Sequence, residues 1–140
     1  LIMGEDGLVW NIRILNDSPL ARKYGYSEQA SAAAKNKIIE IISFIDKRIE
    51  EQAKQGASYL IGNSLTAVDL YWATMIMSTL STSPEIMPRT KQNEGMLMWF
   101  EMNSKIPEIA NVLSERIKEH QKYILKTYCE TPAVLGGDLL

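Results

Sequence analysis

The segment SYLIGNSLTAVDLYW, residues 58–72, limits the folds open to this chain more than any other stretch. Thr66 and Asp69 stand three residues apart inside an otherwise apolar run. A helix leaves its first four N–H groups without intrahelical partners. Placed just before a helix, Thr66 can accept through its hydroxyl from the N–H of Asp69, while the Asp69 carboxylate reaches back to the N–H of Thr66. That is a capping box with Asp in the place usually given to Glu. Leu65 and Leu70 fill the flanking positions of a hydrophobic staple, and the carboxylate meets the positive end of the helix dipole. The pattern predicts a buried helix opening at Thr66 and gives Thr66 and Asp69 a structural part. A catalytic Asp69 would need a nucleophile or a histidine, and nothing in the sequence ties it to the single histidine, His120.

Helix signals dominate the rest of the chain. Residues 4–17 read as a first helix ending before Pro19, with Leu8, Ile12 and Leu15 on one apolar face and Trp10 and Ile14 on another. A helix apolar on nearly all sides is usually buried between two bodies. Ser27 is placed to cap a long second helix running to about Lys54, with Gly56 as its stop. Ala30, Ala34, Ile38, Ile42, Ile45, Ile49 and Ala53 recur at three- and four-residue spacing, which marks one face. Lys47 with Glu51 and Glu50 with Lys54 are expected as i,i+4 pairs on the solvated side. The boxed third helix is expected to reach about Leu80, before Pro84 and Pro88 break the chain. A fourth helix spans about Gln92–Asn103, a fifth segment begins at Pro107, and Ser114 restarts a helix through Tyr128. The expected architecture is all-α, a single-domain bundle of five to six helices over residues 1–130 with a tail at 131–140.

Composition narrows the function classes. The 140 residues carry a net charge of −2 with both signs interspersed, so no basic stripe is present to neutralise phosphates and nucleic acid is not an expected partner. No apolar run approaches the ~20 residues that span a bilayer. One cysteine, Cys129, excludes an intrachain disulfide, which fits a reducing, cytoplasmic compartment. With one His and one Cys, no tetrahedral zinc set of the usual ligands can be assembled. Glu130 beside Cys129 argues against a reactive thiolate. His120 falls on the stripe Ile117–Ile124 and reads as a hydrogen-bonded edge histidine. The chain starts at Leu1, so it is expected to be the back part of a longer gene product.

YLIGNSLTAVDLYWATM resembles the motif of the all-helical C-terminal domain of glutathione S-transferases. In that family a Gly precedes a Ser/Thr-x-x-Asp box that opens the central buried helix. Gly62, Thr66 and Asp69 match the box, Leu65 and Leu70 match the staple, and the order of elements fits from about Glu5 to Tyr128. The resemblance implies a domain that supplies the apolar pocket for an electrophilic co-substrate and much of a homodimer interface. Glutathione binding and activation then belong to a thioredoxin-like N-terminal domain not seen in this sequence, so the chain alone is expected to be inactive and to hold no catalytic residue and no cofactor of its own. Trp10, Arg13 and Ile14 on the first helix, with Trp72 and Met75 past the box, are the expected lining of a pocket for a small apolar electrophile. A non-catalytic protein-interaction module of the same fold is the alternative.

Overall fold

In a computed structural model of the protein, the described residues are 19–25 and 27–133. The expected first helix, with Trp10, Arg13 and Ile14, and the tail beyond residue 133 lie outside them. Contacts divide the chain into two compact units, residues 1–37 and 38–140. The described residues form helices and no strand. They are α1 (Pro19–Tyr24), α2 (Glu28–Lys54), α3 (Ala67–Met75) running into a 3₁₀ turn (Ile76–Ser78), α4 (Glu94–Ser104), α5 (Pro107–Ala110) and α6 (Glu115–Tyr128).

In the first unit, α1 precedes the start of α2. Gly25 turns the chain between them at a φ of 65°. Glycine enters that backbone region without steric cost. The Ser27 hydroxyl accepts from the Ala30 N–H at 3.0 Å, the cap the sequence predicts. Ala30 and Ala34 are exposed. The apolar stripe therefore works as a buried face only further along, from Ile38.

In the second unit, two groups of apolar side chains make the core. One joins Ile42 and Ile49 of α2 to Leu60, Trp72, Ile76, Ile109 and Ile117. The other gathers Ala73, Met77, Ile86, Met87, Leu97, Ile124 and Leu125, with Leu65 and Leu70 packed against it. The two staple leucines thus land on one cluster. The most extensive helix–helix contact is between α3 and α6. α3 and the 3₁₀ turn after it send Trp72 and Ile76 to one cluster and Ala73 and Met77 to the other, which makes this segment the central element of the unit.

Boundaries moved where capping and packing compete with periodicity. α3 is shorter than expected, because its last turn tightens into 3₁₀ at Ile76–Ser78. There the Ser78 hydroxyl donates to the Met75 carbonyl at 2.9 Å. The Thr79 hydroxyl donates to the Ile76 carbonyl at 3.2 Å. Such local side-chain bonds offer the backbone an alternative to the regular helix. α2 ends with Gly56 at a φ of 74°. The Gln52 carbonyl accepts from the N–H groups of Gln55 and Ala57, which satisfies an acceptor that a helix end leaves open. Glu50 pairs with Lys54 at 2.7 Å as expected, but Glu51 is taken by Arg48 at 3.5 Å rather than by Lys47. The guanidinium of Arg48 is already fixed close by, since its Nε donates to the Leu60 carbonyl at 2.8 Å.

Candidate functional site

The start of α3 is built around one carboxylate. Asp69 is 0% exposed. Its Oδ2 accepts from the Thr66 N–H at 2.9 Å and from the Thr66 hydroxyl at 2.7 Å. Its Oδ1 accepts from the Leu60 N–H at 2.7 Å. The Thr66 hydroxyl therefore acts as a donor to the carboxylate, and the N–H of Asp69 has the Thr66 carbonyl at 3.1 Å. Leu60 is tied on both sides of its backbone, to Asp69 through its N–H and to Arg48 through its carbonyl. Gly62, at a φ of 65°, turns the chain between Leu60 and Thr66. A side chain there would strain the backbone, which glycine avoids.

One expectation is corrected here. His120 is not an edge histidine remote from carboxylates. α6 buries it against α3, with Nε2 3.7 Å from the Oδ1 of Asp69. The contact spans 51 residues of sequence and exists only because α3 and α6 cross at this point. Both ring nitrogens of His120 are buried without a hydrogen-bond partner. Burial pushes its pKa below the ordinary histidine value, with the Asp69 charge opposing that shift. The ring is therefore neutral at pH 7. Next to it, Gln121 donates from Nε2 to the Ala73 carbonyl at 3.2 Å, a second buried link between the two helices. Asp69 and His120 are both buried, so neither presents a reacting atom at the surface.

The groove lies on another face of α3. Trp72 and Met75 line it together with Ile38, Ile41, Ile42, Ile76, Ser78 and Thr79, around a cavity of about 170 Å³. Trp72 is the buried floor, its indole nitrogen without a partner, whereas Met75 is 71% exposed at the rim. Two of the five expected lining residues are thus brought together; Trp10, Arg13 and Ile14 lie outside the described residues. The isoleucines of α2 were readable as a core face, yet no sequence signal marked Ile38 and Ile41 as groove wall. Among the described residues no group of three His, Cys, Asp or Glu side chains is placed to hold a metal ion, and no helix is long and apolar enough to cross a membrane.

A family model described as the glutathione S-transferase C-terminal domain matches residues 17–116. The chain belongs to this family. The matched span holds α1 to α5 with the boxed α3 at its centre and ends as α6 begins. The all-α architecture is the one expected of a glutathione S-transferase C-terminal domain. Comparison with curated proteins and with solved structures found no significant match.

Proposed function

We propose that this glutathione S-transferase C-terminal domain supplies the co-substrate pocket and dimer-forming surface of a glutathione transferase-like protein in the cytoplasm. Glutathione is the co-substrate of the whole assembly, and a thioredoxin-like domain binds and activates it. The observation that carries the reading is the groove floored by Trp72 and rimmed by Met75. Its wall is mostly apolar, as a site for a small hydrophobic electrophile requires. The groove encloses about 170 Å³. Complete small-molecule sites hold roughly 300–1,000 Å³, so the groove is consistent with one wall of a larger pocket. Among the described residues its lining offers no thiol, imidazole or carboxylate. In this reading the chain binds and positions the electrophile, while the thiol chemistry is done by the thioredoxin-like domain.

The test has two arms. Mixed with glutathione and a chloronitrobenzene, the chain alone should give no turnover above the uncatalysed reaction; robust turnover would place the chemistry here and overturn the division of labour. In the second arm, chloronitrobenzene binding is followed through tryptophan fluorescence. Met75→Glu puts a charge at an exposed rim position that the core does not need. It should weaken binding about tenfold, which corresponds to about 1.4 kcal/mol. Unchanged affinity in that variant would remove the groove from the binding site.

A further inference from the structure

Three phenols from distant parts of the second unit converge away from the groove. The Tyr59 hydroxyl, in the segment between α2 and α3, lies 2.6 Å from the hydroxyl of Tyr128 and 3.3 Å from that of Tyr123, both on α6. The rings pack around this point at centroid distances of 6.2 to 6.3 Å, Tyr123 edge-on to Tyr128. Tyr123 and Tyr128 are 39% and 40% exposed, so the cluster is open to reagents. Three hydroxyls that meet in this way share their protons. When the Tyr123 oxygen is deprotonated, the Tyr59 hydroxyl remains as an O–H donor beside it, and hydrogen bonding to the charged form favours that form. The groups that act on these oxygens are the other phenols of the trio, Tyr59 from the segment before α3 and Tyr123 and Tyr128 from α6. Tyr123 is held below the ordinary tyrosine range, chiefly by its hydrogen bond to Tyr59, and Tyr59 is pushed above it. Interacting groups such as Tyr59 and Tyr123 titrate together, and the first proton leaves more readily than from an isolated phenol.

We propose that Tyr59, Tyr123 and Tyr128 form a nucleophilic phenol site that accepts an acyl group from activated acyl donors. A phenolate oxygen of the set attacks the acyl carbon. The new C–O bond forms an aryl ester, the bond to the leaving group breaks, and the leaving group departs with the electron pair. The proton released by the phenol neutralises it. Hydrogen bonds that stabilise the phenolate also blunt it. With a Brønsted sensitivity near 0.5, of the kind measured for thiolates, a one-unit fall in pKa raises the anion fraction tenfold and costs roughly threefold in intrinsic reactivity. The balance favours the more acidic phenol, because the anion fraction rises faster than the intrinsic reactivity falls. It works against the handicap that Tyr71 is far more exposed, at 70%.

The probe is N-acetylimidazole on the full chain near neutral pH, with the acetylated tyrosines located by peptide mass spectrometry. A member of the trio should be acetylated ahead of Tyr71. Tyr59→Phe removes the hydroxyl common to both contacts and should erase that advantage. A purely structural clamp would lose stability in this variant without setting the order of labelling in the wild type. The wild-type protein also gives a readout that needs no variant: in an ultraviolet titration of phenolate, one tyrosine should ionise ahead of the others. Labelling led by Tyr71, an undiminished rate in a folded Tyr59→Phe protein, or no early-ionising phenol in the wild type would each overturn the proposal.

Discussion

Asp69 closes three hydrogen bonds from a position with no exposure to solvent, and each one fixes backbone or side chain on the approach to α3. Removing the carboxylate leaves the N–H groups of Leu60 and Thr66 without their partner. An unsatisfied buried polar group costs about 1–3 kcal/mol, so Asp69→Ala should lower stability by about 3 kcal/mol in a urea melt. A wild-type midpoint would refute the structural part given to this residue. His120 adds a pH dependence whose sign follows from its lowered folded-state pKa. The unfolded chain takes up the proton at about 6.5, before the buried ring does. Stability is therefore full above that pH and falls progressively as the pH drops from about 6.5 toward the folded-state value. In His120→Leu the stability should vary less over that acid window, and a slope equal to wild type would show that the histidine contributes nothing to it.

The helices are stopped and started by a few local devices that the sequence displays. Ser114 caps α6 by accepting from the Ile117 N–H at 3.2 Å, and it also donates to the Oδ1 of Asp46 on α2 at 2.5 Å. Arg116 completes the link with two bonds to the same carboxylate, both at 3.1 Å. Those bonds, Arg116 first, hold the Asp46 carboxyl below the usual range. Loss of a serine cap costs about 1 kcal/mol by itself. Ser114→Ala should cost somewhat more, because it also removes a donor to Asp46, and thermal unfolding would measure it. The cap was legible from Ser114 and the run that follows it. Its second role was not, since Asp46 is 68 residues away and only the packing of α2 beside α6 brings it near. The same holds within α2. Its stripe announced the helix, but Ala30, Ala34 and Ala53 are exposed while Gln52 is buried, because burial depends on what lies opposite each turn.

At the scale of the whole molecule the telling feature is apolar surface. Phe44, Tyr71 and Met75 are each about 70% exposed on α2 and α3, and Met98, Trp99 and Met102 stand out on α4. Exposed apolar side chains of this size are available to bury against a second surface. The proposed dimer-forming role predicts concentration-dependent self-association in sedimentation, reduced by Phe44→Glu; a monomer at high concentration would count against it. The sequence by itself determined the fold class and family membership. Both rest on local chemistry: a Thr and Asp at capping spacing, staple leucines, Gly62, and helical periodicity are all read within a few residues. Only the tertiary structure decided that His120 faces Asp69, that Trp72 and Met75 share a groove with Ile38 and Ile41, and that three tyrosines from two segments meet at their hydroxyls. Those are contacts between residues far apart in the chain, and their partners are chosen by how helices cross, which no short spacing encodes.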